Sequence, residues 1–179
     1  MRAHFILLML VGFLGYASMQ PSWAESGFPS PRSLEPVEIA AIDLEKRLAV
    51  PRFNLILFDT RSRAEFDVSH LKSAIWLDPE TSPSTFLAAF GRRARNAYVV
   101  FYCTMGQRSM DYALHVLDGL EQKGVRRVAV LKGGIIAWAN ASGELSDAGG
   151  STRFVHPFNL DSVKALSQPE LARFWPHLH

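Results

Sequence analysis

The chain has 179 residues, of which 48% are hydrophobic, 20% charged and 11% aromatic. This composition is that of a globular protein, and it excludes extensive disorder. The formal net charge is only +2, so no strong attraction to nucleic acid or to a membrane follows. Two local basic groups, residues 91–95 and 123–127, are interpreted as solvated surface.

The amino terminus is predicted to be a secretory signal peptide over residues 1–24. Arg2 and His4 precede an apolar stretch, residues 5–17. Small residues stand at Ser22 and Ala24, the spacing that a signal peptidase recognises. The stretch is shorter than the roughly 20 residues that span a bilayer, so an uncleaved anchor is the less favoured alternative. We expect an exported protein, periplasmic if its source is a Gram-negative bacterium, without stable membrane association after processing.

A domain is expected over residues 36–145, after a flexible lead-in over residues 25–35. It begins with a short strand and a helix, for which three apolar residues have helical spacing: Ile39, Ile42 and Leu48. Residues 54–59 are a continuous apolar run, which is typical of a strand buried on both faces in a parallel sheet. Residues 74–77 are predicted to be another strand.

A helix, a strand and a longer helix are predicted next. The first helix is expected to run from a capping Ser82, through Pro83 at its first position, to a stop at Gly91. Residues 98–103 are apolar throughout and indicate a buried strand. The longer helix is expected to end at Gly124. Its apolar stripe comprises Met110, Ala113, Leu114, Leu117 and Leu120.

The last part of the domain repeats the alternation of strand and helix. Residues 127–131 indicate a strand, and residues 133–141 a helix. Strands that alternate with helices in this way predict an open α/β sheet with helices on both faces. In such sheets the binding and catalytic residues lie beyond the carboxyl ends of the strands, and Cys103 lies at one such end.

The tail, residues 146–179, is predicted to be a C-terminal extension packed on the domain. Residues 147–153 resemble a linker, and Ser167 is expected to cap a final helix. The side chains expected to pack are Phe154, Phe158, Phe174 and Trp175. The tail also holds three of the six histidines, without acidic or thiol partners at ligand spacing, so no metal site is predicted. These are His156, His177 and His179.

Cys103 is the only cysteine of the chain. In an exported chain an idle, accessible thiol would be lost to oxidation, so Cys103 is either buried and inert or kept for chemistry. Its place between a strand and a helix start favours the thiolate. Gly106 permits a left-handed backbone, Arg108 supplies a cation and Ser109 is suited to start the helix. We expect the backbone N–H groups of residues 104–109 to point at the sulfur.

Residues 55–79 and 98–138 resemble the rhodanese (sulfurtransferase) domain family. The resemblance covers most of the chain between Pro36 and Leu145, and it implies a mainly parallel sheet of about five strands. It also implies that Cys103 takes a sulfane sulfur from a donor such as thiosulfate and holds it as a persulfide. The acceptor would be cyanide or a thiol, a protein thiol among them. No cofactor is implied.

The resemblance assigns further roles around the cysteine. Arg108 is expected to be catalytic with Cys103, either by fixing the loop or by meeting the anionic substrate. The remaining loop residues are expected to bind substrate: Thr104, Met105, Gly106, Gln107 and Ser109. A structural role near the site is expected for Asp59, Arg61, His70, Gly133, Gly134 and Trp138. The less favoured alternatives are a direct catalytic role for Asp59 and Arg61 and a proton donor at His70. Glu65 is expected to pair with Arg61 at helical spacing.

Two features test the resemblance. Four residues separate Cys103 from Arg108, whereas the similar cysteine-dependent phosphatases have five, so a phosphatase or arsenate reductase is disfavoured. The family usually has glycine, proline and glycine where this chain has Ser69, Lys72 and Ser73, which puts the geometry of that loop in question. A rhodanese-like binding or sensing module with little turnover is the alternative to an enzyme.

Overall fold

The computed structural model describes residues 35–176, so the predicted signal peptide lies outside the described part of the chain. The strands are β1 (Val37–Ile39), β2 (Leu55–Asp59), β3 (His70–Leu71), β4 (Ile75–Trp76), β5 (Tyr98–Tyr102), β6 (Arg127–Leu131), β7 (Leu145–Asp147) and β8 (Gly150–Thr152). The helices are α1 (Ala41–Leu48), α2 (Arg63–Val68), α3 (Pro83–Phe90), α4 (Gln107–Gln122), α5 (Gly134–Asn140) and α6 (Leu160–Val163).

The main sheet has five strands in the order β1-β6-β5-β2-β4, and every neighbouring pair is parallel. Successive side chains of a strand point to opposite faces, and each face carries its own core. Phe58 and Phe101 pack with α3 and α4 on one face, whereas Leu57 and Val100 pack with α1 and α5 on the other. The predicted α/β sheet, open, mainly parallel and with helices on both faces, is confirmed.

Helix α1 buries a different residue from those that the helical spacing indicated. Ile39 belongs to β1, and Ile42 and Leu48 are exposed. The buried side chain of the helix is Leu44. A helix this short rests on the sheet through about one turn, so one position suffices to hold it.

Helix α4 begins earlier than predicted and its stripe is shifted. Gly106, not Ser109, occupies the position before the first helical residue. Leu114 is 54% exposed, because it lies about 100° around the helix from the buried Ala113. Tyr112 takes its place in the core.

The C-terminal extension is structured. The stretch that resembled a linker closes the β7–β8 hairpin, and β7 pairs with β3 in a second, antiparallel sheet. Val155 and Leu166 bury their side chains in the core of the α5 face. Phe158 and Trp175, which were expected to pack, are 53% and 75% exposed.

Ser167 ties the extension to α5 instead of capping a helix. Its backbone N–H and its hydroxyl both donate to Oδ1 of Asn140, at 2.8 and 3.0 Å. The residues after it, Pro169–Leu171, form only a 3-10 turn. None of the helices within residues 35–176 is long and apolar enough to cross a membrane.

Candidate active site

Cys103 directly follows β5 and lies at the start of the loop that leads into α4. The residue is 2% exposed. The Gly106 N–H donates to Sγ at 3.1 Å, and the Ser109 hydroxyl lies 3.6 Å from Sγ while it donates to the Gly106 carbonyl at 2.8 Å. Within the described residues Gly106 provides the one backbone N–H that donates to the sulfur, so the expected ring of converging N–H groups is reduced to a single donor. A φ of 104° at Gly106 turns that N–H inward.

The start of α5 packs directly against the cysteine. The Ile135 N–H donates to the Cys103 carbonyl at 2.9 Å. Gly133 and Gly134 have φ of 69° and 59°, and a Cβ on Gly134 would overlap the carbonyl oxygens of Cys103 and Thr104. Two consecutive glycines are therefore what allows this backbone to approach the loop.

Arg108 holds the loop through a buried carboxylate. Its guanidinium donates to Glu65 Oε1 at 3.0 Å and to Thr104 Oγ1 at 2.8 Å, and Thr104 donates in turn to Glu65 at 2.9 Å. Burial alone would lower the pKa of Arg108, but the hydrogen bond and charge of Glu65 outweigh it, with a smaller contribution from Cys103, so that the pKa is raised. The contacts support the loop-fixing role of Arg108; its contact with an anionic substrate stays a prediction.

Glu65 pairs with Arg108. The helical spacing had suggested Arg61 as its partner, and that prediction is wrong. It is the third residue of α2, where its carboxylate accepts from the Ser62 N–H at 3.0 Å in a capping box. Burial would raise the pKa of Glu65, but hydrogen bonds and charge from Arg108, together with Ser62, lower it to about 2. The carboxylate therefore stays charged at any ordinary pH.

The Glu65→Gln variant should show what this charge contributes, since glutamine preserves the capping box. A carboxyl group whose pKa is lowered on folding stabilises the fold above its ordinary pKa of 4.5, and this contribution is lost as the pH falls towards 2. We expect a loss of about 1–3 kcal/mol in unfolding free energy at pH 7, shrinking steadily between pH 4.5 and 2. Urea unfolding across that range measures it.

A matched control is Glu144→Gln, in the exposed pair with Lys72 at 3.0 Å. Its loss should stay below about 1 kcal/mol. A Glu65→Gln penalty that remained constant down to pH 2.5 would contradict the pairing with Arg108.

Asp59 and Arg61 form a buried ion pair behind the site. Arg61 Nη2 lies 2.6 Å from Asp59 Oδ2 and donates to the Ser69 carbonyl at 2.6 Å, and both side chains are fully buried. Burial would lower the pKa of Arg61, but the Asp59 carboxylate raises it. The pair joins the end of β2 to the loop before β3. None of these hydrogen bonds reaches the Cys103 sulfur.

The loop with the atypical residues closes without glycine or proline. Ser73 adopts a left-handed φ of 67°, whereas Ser69 is extended. The His70 ring stacks on Phe66 at 3.9 Å between centroids, and its Nδ1 lies 3.1 Å from the Phe66 carbonyl oxygen. These contacts are consistent with the structural role expected of His70, and the strain is confined to Ser73.

The indole of Trp138 joins α5 to the segment that enters β7. It is buried, and its Nε1 donates to the Glu144 carbonyl at 3.1 Å. Trp138 thereby links α5 to the residue immediately before β7. The contact supports the structural role expected of this residue.

The C-terminal extension contributes to the site, which the sequence did not indicate. The Phe158 ring lies over the Arg108 guanidinium, with 4.7 Å between Cζ and the ring centroid. The Phe158 N–H donates to Nδ1 of His156 at 3.0 Å, and burial lowers the pKa of that histidine. No local pattern distinguishes Phe158, since the contact joins residues far apart in the chain.

The predicted substrate-binding residues divide into two groups. Met105 and Gln107 are exposed and form the rim of the loop, to which Phe158 adds an aromatic face. The others are buried inside the loop: Thr104, Gly106 and Ser109. Within residues 35–176, no group of three or more histidine, cysteine or acidic side chains converges as metal ligands do.

Comparison with known proteins agrees with this geometry. The model of the rhodanese-like domain matches residues 41–141, more than half of the chain. A sulfurtransferase of Allochromatium vinosum is 32% identical over 102 residues, which cover 57% of this chain and 87% of that protein. A probable molybdopterin-synthase adenylyltransferase of Porphyra purpurea is 29% identical over 106 residues, 59% of this chain. The match covers 26% of the adenylyltransferase, so this chain spans about a quarter of its length.

Two solved structures share the fold. A crystal structure of a Bacillus halodurans protein has a TM-score of 0.51 and 21% identity, and the match covers 72% of this chain and 88% of that one. The solution structure of a rhodanese-like domain from Anabaena has a TM-score of 0.50 and 21% identity, with 64% and 80% covered. With the match to the family model, these findings show that the chain belongs to the rhodanese-like domain family.

Proposed function

We propose that this protein is a sulfurtransferase that carries sulfur on Cys103. Membership of the rhodanese-like family and the similarity to a sulfurtransferase support transferase chemistry of this general type. The observation that carries the proposal is the placement of Sγ at the start of a 16-residue helix, with the Gly106 N–H donating to it. The finer proposal is a donor such as thiosulfate and an acceptor that is cyanide or a thiol, a protein thiol among them.

The reaction proceeds in two displacements. The Cys103 thiolate attacks the sulfane sulfur of thiosulfate; the new S–S bond forms as the old one breaks, and sulfite leaves with the electron pair. Cyanide, or a thiolate acceptor, then attacks the outer sulfur of the persulfide. Thiocyanate or a new persulfide leaves, and the Cys103 thiolate returns to its starting state.

The loop favours each anionic sulfur species in this sequence. A hydrogen bond to an ionised acceptor contributes about 1.5–3 kcal/mol, and the helix start contributes about 0.3–2 kcal/mol more. The cationic Arg108 adds positive potential while Glu65 holds it in place. Because these interactions are weaker with neutral sulfur, they favour the anionic persulfide over its protonated form.

The burial of Cys103 is the observation that favours the alternative, a binding or sensing module with little turnover. A thiol that is 2% exposed reacts only if the donor reaches it past the rim. We further infer that the protein is exported and begins at Glu25, a proposal that depends on the sequence of residues 1–24 alone.

Intact mass spectrometry after incubation with thiosulfate tests the proposal. One added sulfur, about 32 Da, should appear on the protein and map to the peptide that contains Cys103. Cys103→Ser should show no addition, and cyanide should remove the sulfur from the wild type. Absence of the added mass in folded protein would contradict the sulfurtransferase and favour the sensing module. The same spectrum of protein recovered from its host shows whether the chain begins at Glu25.

A further inference from the structure

Positive charge is concentrated at the end of the sheet opposite Cys103. In a parallel sheet, each helix returns the chain to the amino ends of the strands, so the connections that enter β2, β5 and β6 lie together there. We call residues 46–54, 91–97 and 123–127 the basic edge. It contains nine lysines and arginines and no aspartate or glutamate, in a chain whose net charge is only +2.

The tertiary structure joins two of these connections into one surface. Arg95 and Val125 form an antiparallel bridge. The Asn96 N–H donates to the Gly124 carbonyl at 2.8 Å, and the Arg126 N–H donates to Ala97 at 2.9 Å. The two basic motifs, which are separate in the sequence, are therefore a single patch.

The charges of the basic edge are largely uncompensated. Among the described residues, Lys46 is the one member of the edge with an ion pair, at 3.8 Å from Asp43. Most of the others are solvent-exposed: Arg52, Arg92, Arg93, Arg95, Lys123 and Arg126. Like charges held close together repel, and an anionic partner relieves this repulsion.

A pocket of about 380 Å³ opens in the basic edge between three arginines and two aromatic rings. The Arg47 guanidinium lies 4.8 Å from the Tyr98 ring centroid, and Arg126 lies 5.9 Å from that of Phe53. Arg127 completes the cationic lining. Guanidinium groups held in this way match the oxygens of a phosphate group. Because guanidinium groups cover both rings, the rings are not free to stack on nucleobases as single-stranded nucleic acid requires.

Apolar side chains accompany the charges. Leu48, the last residue of α1, and Val50, in the segment that leads to Arg52, are both exposed. Val37, the first residue of β1, lines the same pocket, so the chain enters the fold at this edge. Basic residues with exposed aliphatic neighbours are typical of proteins that lie on an anionic bilayer.

We propose that the basic edge docks on an anionic phospholipid bilayer, with a lipid phosphate in the pocket formed by Arg47, Arg126 and Arg127. Docking at this edge leaves Cys103 at the far end of the sheet, facing the aqueous phase and its substrates. The proposal is independent of the chemistry at Cys103. It replaces the expectation, drawn from the low net charge of the whole chain, that the processed protein has no stable association with a membrane.

Sedimentation of the full chain with vesicles tests this docking. Binding to vesicles that contain phosphatidylglycerol should exceed binding to pure phosphatidylcholine, and high salt should abolish the excess. The triple variant Arg92→Gln, Arg93→Gln and Arg126→Gln should weaken binding about 100-fold, because each cation near an anionic surface contributes about 1 kcal/mol. All three side chains are exposed, so the fold should survive, and circular dichroism checks this.

A matched control removes the same charge elsewhere. Lys72→Gln, Lys132→Gln and Lys164→Gln change three exposed lysines away from the basic edge, and they should alter binding less than about 3-fold. Equal losses in the two triple variants would overturn the proposal, as would salt-insensitive binding to phosphatidylcholine, which the apolar stretch alone would produce. Binding to an oligonucleotide that is tighter than binding to the vesicles would also contradict it. So would binding to inorganic phosphate without binding to vesicles.

Discussion

Replacement of Cys103 by serine is expected to reduce thiosulfate-to-cyanide sulfur transfer by about 10³-fold or more. The hydroxyl of serine is almost entirely un-ionised at neutral pH, and it cannot form the S–S bond that carries the transferred atom. The hydrogen-bond donor at Gly106 remains in place, but no thiolate is there to accept from it. Thiocyanate formation, followed as kcat/KM for each substrate, measures the loss.

The kinetic pattern and a distant variant make this result specific. The wild type should give the parallel double-reciprocal plots of a ping-pong reaction, because the first product leaves before the acceptor binds. Ser151→Ala, at an exposed position in β8, should retain the wild-type rate. Equal rates in the wild type and Cys103→Ser would remove Cys103 from the mechanism.

The Asp59→Asn variant is expected to have the largest effect on stability. Arg61 would then remain a fully buried cation without its counter-ion, and breaking a buried pair in this way costs about 3–5 kcal/mol. Urea unfolding at pH 7 measures the difference in unfolding free energy. Transfer activity should fall only as far as the folded fraction falls, because the pair has no hydrogen bond to Sγ.

A second Asp→Asn change separates burial from charge. Asp67 pairs with Arg63 at 2.8 Å on the exposed face of α2, and exposed pairs of this spacing contribute about 0.3–0.5 kcal/mol. Asp67→Asn should therefore be nearly neutral. If the two variants lost the same free energy, the Asp59–Arg61 pair would not be the structural support that we assign to it.

Local patterns anticipated the elements of the fold and the active loop. The strands β2, β5 and β6 could be predicted from their apolar runs, because a strand that is buried on both faces consists almost entirely of apolar residues. Ser82 caps α3 as predicted, accepting from the Thr85 N–H at 3.2 Å. The cysteine loop could also be predicted, since its members lie within seven consecutive residues.

The hydrogen-bond and ion-pair partners of the loop residues could not be predicted, because they come from distant parts of the chain. Glu65 was predicted to pair with Arg61, four residues away, yet it reaches Arg108 across the site. Spacing along one helix indicates which of its side chains share a face. It contains no information about the cysteine loop, which strand β5 brings next to the helix.

By itself the sequence determined the α/β class, the position of Cys103 at a strand end and the glycines that let the backbone approach it, because these depend on the conformational limits of neighbouring residues. Only the tertiary structure decided that a single N–H faces the sulfur, that Phe158 of the extension covers Arg108, and that two basic segments meet at one edge. The last two are contacts over a long chain separation, and long-range packing, not local propensity, selects them. The Gly106 N–H lies only three residues from Cys103, and its direction depends on the conformation of the loop.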